Sequence, residues 1–332
     1  MEWKFGKWIY FPNWAWYSLN IMREKDLISI IKETLNSKYI GDDCAYLKDL
    51  GIVVTQDSLV EGIHFLLDKI TPFQLGYKSV MVNISDIVAS GAEPKYLTVA
   101  LSLPSNIDEN FVKEFYQGCK CACAENIQIV GGDITGADKV FISVCAIGAT
   151  RERKISSRKN AKAGYKVVVV GNHGSSAIGL QLLLNGKNTP KKLIKAHLEP
   201  YAQMEFGQYV GKNIKQDYGM MDTSDGLMDA LSTIANESGV LLDIDFDKIP
   251  HDEEIENFVN WQNFVLYGGE DYGIVAIVPN NFICPYGKII GQAKEGLGVD
   301  LHYNNQLIHL TKKDVENKVF SHFKENLWNT VQ

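Results

Sequence analysis

Apolar residues recur along this chain at two spacings, and together they predict strands alternating with helices. Short unbroken apolar runs read as buried strands: Gly51 to Thr55 (GIVVT), Tyr96 to Ser102 (YLTVALS), Ile127 to Val130 (IQIV) and Val140 to Gly148 (VFISVCAIG). Helices are expected between them, over Pro72 to Ser90 and Asp108 to Glu125. In the first helix Phe73, Tyr77, Val80, Ile84 and Ile87 step by four and three, which makes one apolar stripe for a core. Ser79, Asn83, Asp86 and Ser90 share a different face. A solvated face usually carries Lys and Glu, whereas these short polar groups let something approach closely. Asp86 is therefore a ligand candidate. Further on, KVVVVGNHGSSAIGLQLLL reads as a strand, a Gly turn and a helix. Helices from Asp225 and Asp252 and strands in VLLDIDF and YGIVAIV follow. The basic, irregular stretch from Arg151 to Gly164 divides two mixed α/β domains near residue 155.

The beginning differs from the rest. Four of the six Trp (Trp3, Trp8, Trp14, Trp16) fall in the first 16 residues. The uncharged run from Trp8 to Met22 contains Pro12, Asn13 and Asn20, and is too short and interrupted for a spanning helix of about 20 apolar residues. It also lacks the features of a signal peptide. From Met22 the chain turns amphipathic, with Leu27, Ile30, Ile31 and Leu35 on one helical face. Residues 1–21 are expected to be an appendage, residues 22–155 the first domain and residues 156–332 the second. Peripheral attachment to a membrane through the aromatic appendage is the weaker alternative.

Composition narrows the function. With 33 basic and 40 acidic residues in 332, the net charge is −7, and no basic run exists to grip a nucleic acid backbone. Six cysteines are too few for a disulfide-stapled secreted domain, so a reduced, cytoplasmic setting is expected. Cys119, Cys121 and Cys123 have no second Cys or His pair at zinc spacing nearby and read as small helix residues. No Walker-type loop, GxGxxG after a strand, HExxH or GxSxG occurs. The Gly turn in KVVVVGNHGSS could bring backbone N–H groups near an anion, but that arrangement is common and its structural reading is preferred.

Carboxylates carry the signal. Asp42 and Asp43 (GDDCAYL), Asp57 (QDSLVEGIHF), Asp86 (NISDIVASG), Asp133 (VGGDITG), Asp222 and Asp225 (MDTSDGL), and Glu270 and Asp271 (YGGEDYGI) mostly follow an apolar run or a glycine. A charge at such an element end is desolvated unless paired, and these motifs contain no Lys or Arg. Such a set suits hard divalent cations, most naturally several Mg²⁺ ions, and with no nucleophile–base pair it suggests phosphoryl transfer. Individually, such residues can be caps: Ser224 or Asp225 could cap a helix beginning at Gly226.

The same motifs, in this order and spacing, resemble thiamine-monophosphate kinases over roughly Met22 to Phe323. That family belongs to a superfamily with aminoimidazole ribonucleotide synthase, whose DGVGTK-type segment does not occur here. The resemblance implies a two-domain, mixed α/β (α+β) aminoimidazole ribonucleotide synthase-like fold. It implies a homodimer joined through its N-terminal domains, and ATP-dependent conversion of thiamine monophosphate to thiamine diphosphate. By the same resemblance, Asp43, Thr55, Asp57, Asp86, Asp133 and Asp222 match Mg²⁺ ligands, with Asp225 a further one, and Asp43, Asp57, Asp86, Asp133 and Asp222 are the catalytic set. Gly132, Asp133, Arg158 and Ser224 match nucleotide positions; His64, Glu270 and Phe320 match substrate contacts. Four positions depart from the family pattern. Gln56 stands within a usual S-T-D and offers a carbonyl oxygen to the metal shell. Ile134 replaces a hydroxyl, Gln203 replaces a common Arg, and Gly273 replaces a usual Glu. The same scaffold acting on another phosphate acceptor stays open as an alternative. So does a nucleotide-binding protein without turnover, supported by Gln56 and Ile134.

Overall fold

The computed structural model describes residues 24–123, 125–316 and 318–319. Residues 1–21 and Phe320 lie outside them. The chain begins with α1 (Glu24–Leu35), β1 (Ala45–Leu47), β2 (Ile52–Val60), α2 (Pro72–Ala89), β3 (Glu93–Leu103), α3 (Glu109–Ala122), β4 (Gln128–Gly136) and β5 (Phe141–Ala149). These strands form a five-stranded sheet in the order β1-β2-β5-β3-β4. Only β3 and β4, joined through α3, pair in parallel in this sheet.

The second half runs β6 (Lys166–Val170), α4 (Ser175–Leu184), α5 (Lys191–Leu198), α6 (Met204–Asn213), β7 (Gly219–Asp222), α7 (Leu227–Ser238) and β8 (Leu241–Asp245). It continues with α8 (Trp261–Tyr267), β9 (Ile274–Val278), β10 (Lys288–Lys294), β11 (Gly298–Tyr303), β12 (Gln306–Leu310) and α9 (Lys312–Glu316). Its seven strands order as β12-β11-β8-β10-β6-β9-β7. The two sheets lie on either side of residues 150–165 in the chain.

Helix α2 organises the molecule. Its start is fixed by a capping box, in which Thr71 accepts from the Gln74 amide and Gln74 accepts from the Thr71 amide, with Pro72 at the first helical position. Val80, Ile84 and Ile87 are fully buried, in one cluster with Val99, Ile142 and Val144 of the first sheet. The cluster continues into the second half through Phe206, Met220 and Ala276. Glycines bring the neighbouring helices close. A Cβ on Gly76 would lie 1.9 Å from the Phe115 carbonyl oxygen of α3, and one on Gly118 the same distance from that of Phe73. The polar face of α2 is buried too: Asn83 donates to the Ser79 carbonyl and accepts from the Asp57 amide (2.9 Å each), so it covers β2.

Some elements depart from expectation. The stripe on α1 is exposed, with Ile30 54% and Leu35 66% accessible. The helix expected from Asp252 is a single 3-10 turn (Glu253–Asn257), which Asp252 caps by accepting from the Glu254 amide; the α-helix starts only at Trp261. Neither Ser224 nor Asp225 caps α7. Its N-cap is Gly226 at φ 107°, without a side-chain cap.

Candidate active site

Three carboxylates from distant parts of the chain converge where α2 passes between the sheets. Asp43 comes from the turn before β1, Asp86 from the last turn of α2 and Asp222 from the end of β7; their oxygens lie within 4.8 Å of one another. Ser85 ties the second sheet to the helix by donating to Asp222 Oδ2 (2.7 Å), and Thr55 on β2 donates to Asp86 Oδ2 (2.6 Å). Asp57 sits two residues beyond Thr55, on the same face of β2.

Burial is the main influence on this cluster. It pushes the Asp86 carboxyl well above the usual range, and the charges of Asp57, Asp222 and Asp43 push it further. It also raises Asp43 to about 6, although Arg158 pulls the other way by donating from Nη2 to Asp43 Oδ1 at 2.6 Å. Burial likewise opposes the charge of Arg158, but Asp43, Asp42 and Asp222 more than offset it and raise its pKa. Several desolvated carboxylates, all oxygen donors, with one cation among them, suit a hard divalent cation. Beside Asp43 a cleft of about 460 Å³ opens, lined by Lys38, Lys48, Asp42, Ser157 and Asn160.

The other sequence-predicted residues are distributed unevenly. Ser224 donates to Asp222 Oδ1 (2.7 Å), which places it at the cluster, and Asp225 follows at the half-buried bend before α7. His64 is fixed in the turn after β2, where its Nδ1 accepts from the Val60 amide (2.9 Å) and leaves the ring proton on Nε2. Gln56 and Asp133 turn away. Thr55, Asp57 and their partners Ala146 and Val144 face the helices, whereas Gln56 donates to Ser143 on the opposite face. Asp133 pairs with Ala100, and Ala100 with Ser143, so it shares that opposite face. Neither side chain joins the three-carboxylate cluster within one chain. Gly132 is required by packing, since a Cβ there would lie 1.9 Å from the Val99 carbonyl oxygen of β3.

Sequence reasoning missed Lys78 and His197, which lie beside Glu270. Lys78 Nζ is 3.2 Å from Glu270 Oε1, and His197 Nδ1 is 3.3 Å from Glu270 Oε2. The available signal was a lone lysine within the apolar run of α2. The turn after β6 does cradle an anion, and that anion belongs to the protein: Asp271 accepts from the Gly174 (2.6 Å) and Ser176 (2.8 Å) amides. Burial still lifts its carboxyl to about 7.

The first sheet, with α2 and α3, falls in a segment, residues 41–150, that matches the AIR synthase related protein N-terminal domain family. The chain belongs to the thiamine-monophosphate kinase family. It is 35% identical to the enzyme of Aquifex aeolicus over 319 residues, 92% of this chain and 99% of that one. It is also 35% identical to the enzyme of Bacillus subtilis, covering 78% and 84% of the two chains. A solved structure, AaThiL complexed with AMPPCP and TMP, superimposes with a TM-score of 0.80 at 34% identity, covering 91% of this chain and 97% of that one.

Proposed function

We propose that this protein transfers the γ-phosphoryl group of ATP to thiamine monophosphate, giving thiamine diphosphate. The observation that carries the reading is the Asp43, Asp86 and Asp222 cluster, in a chain that matches a thiamine-monophosphate kinase over nearly its whole length. Bound Mg²⁺ would neutralise phosphate charge and hold donor and acceptor in line. Asp43, Asp86 and Asp222 would hold it, with Thr55, Asp57 and Asp225 completing the set. Arg158 holds Asp43 in place and, with Ser224, faces the nucleotide. His64, Glu270 and Phe320 bind the acceptor. The two domains meet near residue 155, and the cluster lies between them. Little general acid–base work falls to the protein, because the acceptor phosphate oxygen already carries negative charge.

We also propose that the enzyme is a cytoplasmic homodimer. Strand β4 leaves an exposed sheet edge bearing Val130 and Ile134, 57% and 64% accessible. Beside it lies the sheet face opposite α2, which carries Gln56, Ser143 and Asp133, with Gln56 and Asp133 exposed among the described residues. A second copy on this surface would bury the edge and bring Gly132 and Asp133 toward the partner's nucleotide. None of the six cysteines is in a disulfide, which suits a reducing compartment. Among the described residues no helix is long and apolar enough to cross a membrane.

The test is product analysis after incubation with Mg-ATP and thiamine monophosphate, with free thiamine as control. Thiamine diphosphate formed only from the monophosphate is the expected result. Mg-ATP binding without product would contradict the reading.

A further inference from the structure

Lys78 sits in the middle of α2 and is 1% accessible. A buried ammonium is tolerated only when its charge and its N–H groups are met. The contacts that meet it come from the second half of the chain. Its Nζ donates to the His197 carbonyl oxygen at the end of α5 (3.1 Å) and lies 3.2 Å from Glu270 Oε1. The His197 ring approaches the other carboxylate oxygen, and its Nδ1 is also 3.1 Å from Ser176 Oγ. Burial and the neighbouring Lys78 drive the His197 pKa down to about 3, so the ring meets Glu270 as a neutral imidazole.

Glu270 belongs to a segment held in an unfavourable backbone conformation. Glu270 (φ 62°) and Tyr272 (φ 49°) both occupy the left-handed region without being glycine. Two further anchors hold the segment: the Glu270 amide donates to the Ser224 carbonyl (2.6 Å), and Asp271 is held by the amides at the start of α4. The backbone is therefore fixed from the Asp222 loop and from α4, and the carboxylate is fixed from α2 and α5. With its side chain 29% accessible, Glu270 remains partly open on its outer side.

We propose that Lys78 and His197 are positioning residues, a clamp that orients the Glu270 carboxylate for the phosphate acceptor. This rests on the reading of Glu270 as an acceptor contact. The clamp acts on acceptor binding and leaves ATP untouched, because among the described residues the contacts of Lys78 and His197 toward the site run through Glu270.

The test is a double-mutant cycle with Lys78→Met, Glu270→Gln and the pair, reading KM for thiamine monophosphate, KM for ATP and kcat. Lys78→Met is expected to raise the acceptor KM about tenfold with the ATP KM unchanged, and the pair to be no worse than Glu270→Gln alone. Independent, multiplying effects, or equal losses toward both substrates, overturn the clamp while leaving the acceptor assignment standing. An unchanged acceptor KM in Glu270→Gln removes Glu270 from the acceptor site and overturns both. Should Lys78→Met fail to fold, His197→Asn leaves the ammonium in place and carries the same cycle, with the same expected coupling and the same contrary result.

Discussion

Asp86 is buried among like charges, and its metal-free state is the less comfortable one. Burial, and then the charges of Asp57, Asp222 and Asp43, raise its carboxyl well above the usual carboxylate range. Asp86→Asn removes that penalty while keeping an acceptor for Thr55, so the metal-free fold should be as stable as wild type or more stable. A gain on the order of 1 kcal/mol would be about 2–4 °C in Tm. Turnover should vanish, and with it the Tm rise on adding Mg²⁺; wild-type-like activity would contradict the site. The proton argument gives a second prediction, with a definite sign. A carboxyl raised in the fold contributes stability that is complete below its ordinary range and lost as pH rises through the folded value, about 6 for Asp43. A divalent cation competes with those same protons, so its affinity should rise with pH across that window. The Mg²⁺-induced Tm shift should be clearly larger at pH 8 than at pH 5, and equal shifts would count against protonated ligands in the free enzyme. Of these residues Asp86 was legible, because short polar neighbours on its helix face marked it. The Lys78–Glu270–His197 set was not, because Lys78 and His197 are 119 positions apart and no local spacing joins them.

Whole elements were read more easily than their ends. The apolar patterns placed α2 and four of the five strands of the first sheet, missing only the short β1, since those patterns follow directly from which face meets the core. Ends depend on local competition for hydrogen bonds. At residues 224–226, Ser224 bonds Asp222 instead of capping α7, and Gly226 opens the helix uncapped. The α2–α3 crossing was also invisible, because glycine in a helix marks close approach only when the facing backbone is known. It makes a sharp prediction. The carbonyl of Phe115 leaves no room for a Cβ on Gly76, so Gly76→Ala must push α3 away or bend α2. A loss of about 1–3 kcal/mol is expected from denaturant unfolding, with the kinetics of the protein that remains folded little changed. Unaltered stability would mean that the crossing yields freely.

At the scale of the molecule the difficulty is Asp133. It lies on β4, three strand steps from β2, or roughly 14 Å from Asp57, on the opposite face of the sheet. No side-chain rotation carries a carboxylate around a sheet edge to the far face. If Asp133 belongs to the chemistry, the site it serves lies on another copy, and a two-fold pair placing the Asp133 faces together would give each site the partner's Asp133. Complementation decides the matter. Asp133→Asn and Asp86→Asn should each be inactive alone. In a mixed dimer, the site using Asp86 of the first chain and Asp133 of the second is intact, while the other site carries both lesions. Random pairing from equal co-expression should therefore restore about a quarter of wild-type activity, because half the dimers are mixed and each has one good site. Restoration would establish both the dimer and the shared site. Stable mixed dimers without activity would place Asp133 in its own chain's chemistry, and a monomeric wild-type enzyme would remove the shared site altogether.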